Sequence, residues 1–379
     1  MNLNHASLEN LLLLGPGPSN TDERVLKATA MPTIGHLDPR FQEMMEEVKS
    51  LLRFAFQTEN NMTFPLSAPA SLAMESGIVN ILERGDKAII AQNGVFGGRM
   101  ADIVKRCGGE LVLVEYEWGT AVTADKLAEA MKAHPDTKLV GFVHAETSTG
   151  VQSPAGELCK LIADAGMLSL VDTVTGVGGV PVQVDAWGAD IVYSGTQKCL
   201  SVPPGLAPMT YSEKATKAIS ARKTAVQSWF CDLNLVMGYW SGQGGGRSYH
   251  HTAPVNAIYG LHEGLRLLKE EGLQSSHQRH QHAHMVLRNG LESLGFTFLV
   301  DEAYRLPQLN AIVVPDEYDE AKVRAKLLQD FDIEIGAGLG PLAGKIWRIG
   351  LMGANAHESK VNRFLDAFSS VIMSNDVRR

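Results

Sequence analysis

Cysteine is scarce in this sequence: four residues in 379, namely Cys107, Cys159, Cys199 and Cys231, and no two stand at C-x-x-C spacing. That excludes a zinc ribbon or a disulfide scaffold and predicts reduced, scattered thiols. Long apolar runs are missing as well. A membrane helix needs about 20 consecutive apolar residues, and the longest run near the start is the four leucines 11–14. Basic charge is in deficit, with 34 Lys plus Arg against 42 Asp plus Glu, a formal net charge of −8. An acidic chain of this kind argues against nucleic acid or an anionic membrane as its main partner. The opening MNLNHASLEN has no basic segment followed by a long apolar one, and the closing NDVRR matches no peroxisomal or retention signal. A cytoplasmic location is the expectation.

What the sequence has in quantity is apolar material. Hydrophobic residues make up 45%, and the 37 Gly and 16 Pro are spread along the chain rather than repeated. That composition predicts an ordered chain with a large core. At roughly 150 residues per domain, two or three domains are expected.

Short apolar runs alternate with helical patterns through the middle of the chain. Candidate strands lie at 87–91, 110–115, 138–144, 167–172, 190–194 and 206–211, with helical stretches at 97–107, 123–133 and 157–165 between them. Thr123 is a candidate N-cap. Strands separated by helices of this length predict a mainly parallel sheet covered on both faces, an α/β architecture. Longer amphipathic helices are expected at 40–57 and 277–294. Beyond about residue 270 the pattern changes to strands at 296–300 and 311–314 beside helices at 320–329 and 358–374. The predicted division is an N-terminal arm (1–20), a large domain (21–268) and a smaller α+β domain (269–379).

Two strand ends carry chemistry. In LSLVDT an apolar strand delivers Asp172 at its C-terminal end, where open parallel sheets bind ligands; alone, such an Asp also serves as a turn cap. In IVYSGTQK a second strand leads to Lys198. The two lie one strand and its connection apart, close enough in sequence to end side by side. A lysine among apolar and small residues is desolvated, which lowers its pKa and makes it a nucleophile towards an aldehyde; a surface lysine is the plain alternative. Together they suit pyridoxal 5′-phosphate, which needs a lysine for its aldehyde and a carboxylate for its pyridine nitrogen.

The segments VDTVTGVGG, YSGTQKCLSVPPG, YHHTAP and GKIWRIGLMG occur in this order. With them the chain resembles class V aminotransferases of fold type I, and most closely the alanine–glyoxylate and serine–glyoxylate enzymes. EWGT, ETSTG and GPLAGKIWRIG also resemble the ureidoglycine–glyoxylate branch. The likeness runs from LLLLGPGPSN to about residue 360.

The resemblance implies roles one position at a time. Lys198 matches the Schiff-base lysine and Asp172 the partner of the pyridine nitrogen. Val174 and Phe96 match residues that flank the ring, the latter where the family often has Trp. Thr147 matches a hydroxyl near the phenolic oxygen, and Gln197 a further cofactor contact. The phosphate falls to the loop 67–71 and the helix after it, with Ala70 and Ser71 as contacts. This loop departs from the family's glycines by carrying Ala68, Pro69 and Ala70, and Pro69 has no N–H to donate. Tyr249 and Thr252 match residues that reach the phosphate of a partner subunit, which implies a homodimer with shared sites. Arg348 matches the arginine for the substrate α-carboxylate, and Gly17 a backbone turn at the substrate. An internal salt bridge is the alternative for Arg348. The implied reaction moves the amino group of a small amino acid to glyoxylate. Alanine is the preferred donor, then serine, then ureidoglycine, whose enzymes tend to have Asn at the position of Tyr249.

Other signals carry less. Residues 338–343 resemble a dinucleotide fingerprint, but Pro341 and the missing acidic residue beyond it argue against one. Gly344-Lys345 is followed by Ile346, so it is no phosphate-binding loop. His277, His280, His282 and His284 lack Cys or carboxylate at ligand spacing; a solvated polar helix face is expected, and no metal. A lyase of the same fold would need a nucleophilic cysteine in the small domain, yet all four cysteines precede residue 232.

Overall fold

The computed structural model describes residues 10–240 and 247–379. Its strands, in chain order, are β1 (Leu12–Leu14), β2 (Met62–Leu66), β3 (Lys87–Gln92), β4 (Glu110–Glu115), β5 (Leu139–Val143), β6 (Ala145–Glu146) and β7 (Val151–Gln152). Then come β8 (Leu168–Asp172), β9 (Ile191–Tyr193), β10 (Ala207–Tyr211), β11 (Leu309–Val313), β12 (Ile333–Ala337) and β13 (Ile346–Gly350).

Seven of them form the main sheet in the order β2–β10–β9–β8–β5–β3–β4. β4, β3, β5, β8 and β9 pair in parallel. β5, β8 and β9 are buried along their whole length, as strands covered on both faces must be. The sheet therefore has the expected α/β form. Its far edge is different: β10 runs antiparallel to both β9 and β2. β8 and β9 are neighbours, so Asp172 and the segment leading to Lys198 emerge side by side. The helix Ala70–Val79 lies close against this sheet because Gly77 has no side chain; a Cβ there would stand 2.7 Å from Leu170 of β8.

A second sheet has the order β1–β12–β13–β11. β1, from the stretch expected as an arm, pairs in parallel with β12, more than 300 residues later. There are correspondingly two large cores. One gathers buried side chains between Val25 and Leu268, the other Leu12 and Leu14 with side chains between Ala283 and Val377.

Two local expectations are corrected, and a third, the N-cap at Thr123, holds in position only. Residues 296–300 form no strand; only Phe298 bridges to Ile312. Around that bridge the Val313 N–H reaches the Thr297 carbonyl and the Leu299 N–H the Ala311 carbonyl, both at 2.9 Å, but the segment splits its side chains between two clusters, Phe296 in the second core and Val300 against Ala121 and Val151, so the pairing stops after one bridge. Thr123 stands at the N-cap of Ala124–Ala133 without a side-chain capping bond. His280 and His284 are buried rather than solvated. His280 joins the Ser276 carbonyl and the Gly353 N–H, and His284 joins Asn310. They are satisfied core histidines, and no group of metal-binding side chains forms among the described residues.

Candidate active site

Asp172 ends β8 with its side chain sealed in, 2% exposed. Its Oδ2 accepts the Tyr193 hydroxyl at 2.7 Å and its Oδ1 the Val174 N–H at 2.9 Å. Burial pushes the carboxyl up to about 6, while those two bonds and the charges of Lys198 and Arg99 hold it down.

Lys198 follows β9 at the end of a tightly bonded turn. The Ser194 hydroxyl bonds the carbonyls of Thr173 and Val174, and the Thr196 hydroxyl bonds that of Pro203 at 2.8 Å. The chain after β1 then straps the lysine in place. Ser19 N–H donates to the Gln197 carbonyl at 2.9 Å and the Ser19 hydroxyl to the Lys198 carbonyl at 2.8 Å. The ammonium itself donates to the Pro16 carbonyl. Gly17 lies against the lysine stem with φ of +101°, and a Cβ there would stand 2.6 Å from Lys198 Cδ. The positive φ favours glycine, and a side chain there would displace the lysine stem. Desolvation brings the amine down to about 8, so a good fraction is neutral under ordinary conditions.

Lys198, Asp172, Val174, Phe96, Thr147, Gln197, Ala70 and Ser71 line one cavity. Arg348 stands just outside that lining, in β13, and is 6% exposed. Its guanidinium donates to the Ala337 carbonyl at 2.6 Å and to the Thr147 carbonyl at 3.0 Å. No carboxylate pairs with it within 4.0 Å among the described residues, so the internal salt bridge is absent. Desolvation lowers it to about 10, with Glu146 opposing. A buried guanidinium with only carbonyl partners has its full charge available for a carboxylate ligand.

At the other functional boundary, the helix Ala70–Val79 begins after Pro69 with no side-chain cap. Ser71 accepts from Arg99 at 3.3 Å, and Ser67 meets His251 at 2.7 Å. Tyr249 is 65% exposed and Thr252 is also exposed; neither lines the cavity of its own chain.

Three participants went unassigned in the sequence reading. Tyr193, the register partner of Asp172, stood in plain view in YSGTQK as a polar tip on an apolar strand. Arg99 stood in NGVFGGR, one helical turn beyond Phe96. Glu146 stood in ETSTG. It is fully buried, and burial raises it to about 7. Its Oε1 accepts from the Ser148 N–H and hydroxyl and its Oε2 from the Phe96 N–H at 3.2 Å. Nothing in local sequence marks a carboxylate that serves another element's backbone.

The set fits pyridoxal phosphate on chemical grounds. The desolvated amine can hold an aldehyde, the sealed carboxylate can keep a ring nitrogen protonated, Phe96 and Val174 offer apolar walls, and the open helix start with Ser71 and Arg99 favours an anion. Cys199, next to the lysine, is no rival nucleophile: burial holds its thiol up to about 12, and it bonds the Thr175 carbonyl.

Comparison with known proteins agrees. The family model "Aminotransferase class-V" matches residues 13–364. The alanine–glyoxylate aminotransferase of Callithrix jacchus is 38% identical, covering 97% of this chain and 88% of that protein. The (S)-ureidoglycine–glyoxylate transaminase of Bacillus subtilis is 36% identical, covering 95% and 90%. The crystal structure of an alanine–glyoxylate aminotransferase from Nostoc sp. superposes with a TM-score of 0.94 at 42% identity, covering 98% of each chain. The chain belongs to the class V aminotransferases, pyridoxal-phosphate-dependent enzymes of fold type I.

Proposed function

We propose that this aminotransferase moves the amino group of a small amino acid, alanine by preference, to glyoxylate, giving pyruvate and glycine. The observation that carries the substrate class is Arg348, buried beside the cavity without an ionic partner. A small α-amino acid brings the carboxylate that this guanidinium lacks. Alanine as donor rests on the names of relatives that match nearly the whole chain. Serine is the second choice. Ureidoglycine is kept as an alternative because a transaminase of that name is 36% identical.

In this reading each side chain has one task. Bound pyridoxal phosphate supplies the electron sink for the pair left on the substrate Cα when its proton departs. Lys198 Nζ would hold the aldehyde of bound cofactor, and the same amine is placed to act as the base for the substrate Cα proton. Asp172 keeps a proton on the pyridine nitrogen. Val174 and Phe96 flank the ring, Thr147 and Gln197 bind its polar edge, and Ala70 and Ser71 receive the phosphate. Arg348 takes the α-carboxylate in a two-bond fork, with Gly17 giving backbone room. Tyr249 and Thr252 serve the site of a second subunit. Their exposure supports a homodimer, as does their absence from the lining of their own cavity. The two cores support the division near residue 268, with β1 added to the smaller unit. The cytoplasm is the proposed location.

The test is an absorbance spectrum of the purified protein before and after L-alanine, with Lys198→Ala as control. The visible band of lysine-bound cofactor should give way to a near-ultraviolet band on adding alanine and return on adding glyoxylate. A visible band that alanine leaves untouched, but serine or ureidoglycine discharges, would transfer the donor assignment to that compound.

A further inference from the structure

The cofactor's phosphate is a dianion, and the loop that should receive it is poor in donors. Pro69 has no N–H, Ala68 and Ala70 have no polar side chain, and the helix Ala70–Val79 has no side-chain cap. Helix dipole, backbone and neutral hydroxyls bring no full positive charge to match it. Two cations line the cavity, Lys198 and Arg99, and Lys198 is committed to the aldehyde.

Arg99 sits where a second cation is needed. It projects from the helix Val95–Arg106 one turn beyond Phe96, with its guanidinium carbon 5.1 Å from the centre of the Phe96 ring. Its Nη1 donates to Ser71 Oγ at 3.3 Å, which ties it to the first turn of the phosphate helix. No carboxylate holds it: the nearby Asp102 pairs with Arg106 at 2.7 Å, and no ion pair to Arg99 forms among the described residues. The ring steers the guanidinium, the serine anchors one end, and its remaining donors have no partner among the described residues.

We propose that Arg99 is the cation that binds the cofactor's phosphate, taking over from the donors that the Ala68-Pro69-Ala70 loop lacks. The assignment rests on the pyridoxal-phosphate reading of the cavity. It makes Phe96 serve twice, as a wall for the ring and as a platform for the arginine. A fork of two N–H groups on phosphate oxygens is the geometry a guanidinium offers and an ammonium does not.

The experiment compares two probes, pyridoxal phosphate and pyridoxal, which differ only in the phosphate. Apoprotein of the wild type, Arg99→Gln and Arg99→Lys is titrated with each, and the visible absorbance gives the dissociation constants. Arg99→Gln should weaken pyridoxal phosphate by roughly 10- to 100-fold, the loss expected of charge-assisted hydrogen bonds, and leave pyridoxal within about 2-fold. Arg99→Lys should recover part of the loss. Inorganic phosphate should compete with pyridoxal phosphate in the wild type and much less in Arg99→Gln. Equal affinity of wild type and Arg99→Gln for pyridoxal phosphate would overturn the assignment. So would an equal loss for both probes, which would mark Arg99 as structural. If the wild type took up neither probe, the cofactor reading would fall first and this assignment with it.

Discussion

The Tyr193 hydroxyl donates a hydrogen bond to Asp172 Oδ2 at 2.7 Å from the register position directly across the parallel pair β8 and β9. Both groups are sealed from solvent. The bond is one of two that keep the carboxyl, pushed up to about 6 by burial, from rising further. Tyr193→Phe removes it and leaves only the Val174 N–H. Asp172 should then need a higher pH to ionise, by about one to two units, since a hydrogen bond to a charged group contributes about 1.5–3 kcal/mol. Cofactor titrations between pH 5 and 8 should show the loss of affinity on the acid side moving upward in the variant. Superimposable curves would remove Tyr193 from this role.

A buried carboxylate raised to about 6 also costs the empty protein stability. The folded form binds this proton more tightly than the unfolded chain, so stability falls as pH rises from about 4 to 6 and stays lowered above. Asp172→Asn removes the buried charge. At pH 8 the apoprotein of this variant should be more stable than wild type by on the order of 2 kcal/mol, with the difference vanishing near pH 4. Denaturant unfolding at the two pH values checks it, and a destabilised variant at pH 8 would contradict it. Function and stability oppose each other at this position.

Arg348 should behave as a binding group with no structural duty of charge. In the holoenzyme, Arg348→Gln should raise the KM for alanine by about 100-fold, the loss of two charge-assisted bonds, with a smaller fall in kcat. Arg348→Lys should restore little of it, because an ammonium lacks the planar fork. Steady-state kinetics on the three proteins decide this. Pyruvate should raise the melting temperature of the wild type and not of Arg348→Gln, by mass action on the folded state. A KM within a few-fold of wild type would return Arg348 to a purely internal role.

Lys198 should capture the cofactor faster as pH rises through about 8, because desolvation has brought its amine there and only the neutral form attacks the aldehyde. Stopped-flow mixing of apoprotein with pyridoxal phosphate, followed at the visible band from pH 6.5 to 10, gives the inflection. A profile still climbing beyond pH 10 would mean an amine of ordinary basicity, held outside the desolvated site.

How much of this was legible in the sequence varies with the range of the forces involved. β3, β5, β8 and β9 could be read because a strand covered on both faces writes its burial as an unbroken apolar run, and the edge strand β4, though largely uncovered, carries an apolar run of its own. Asp172 and Lys198 could be read because each ends such a run. β1 could not, since its three leucines form a strand only by meeting β12, and pairing at that separation leaves no local mark. The same holds for the antiparallel turn-back of β10 and β2, and for the single bridge at 296–300, where two clusters draw the side chains apart. The burial of His280 and His284 leaves no local mark, because polarity on a helix says nothing about whether carbonyls and amides elsewhere will satisfy it. Arg99 and Glu146 carry no strand-end signal, and only the folded neighbours reveal what they face.

Glu146 offers the sharpest case of a residue whose work lies on another element. The helix Val95–Arg106 starts at Gly94, which has no side chain to cap it. The caps come from the β6–β7 turn: Glu146 Oε2 accepts from the Phe96 N–H at 3.2 Å and Ser148 Oγ from the Val95 N–H at 3.0 Å. The carboxylate also receives the Ser148 hydroxyl at 2.6 Å, so one side chain orders both caps. A Cβ on Gly94 would run into the Glu146 carboxyl carbon, which shows how closely the helix start rests on it. Glu146→Ala leaves buried donors without partners and should destabilise the protein by on the order of 3 kcal/mol. It should also loosen Phe96, and with it the cofactor. Glu146→Gln, which keeps an acceptor for one side of the arrangement, should lose about half as much. Urea unfolding of the apoproteins and cofactor titration of the same three proteins measure both effects. If Glu146→Ala unfolded like wild type, the cap would not depend on Glu146. If it lost stability while the cofactor bound unchanged, Glu146 would cap the helix without positioning Phe96.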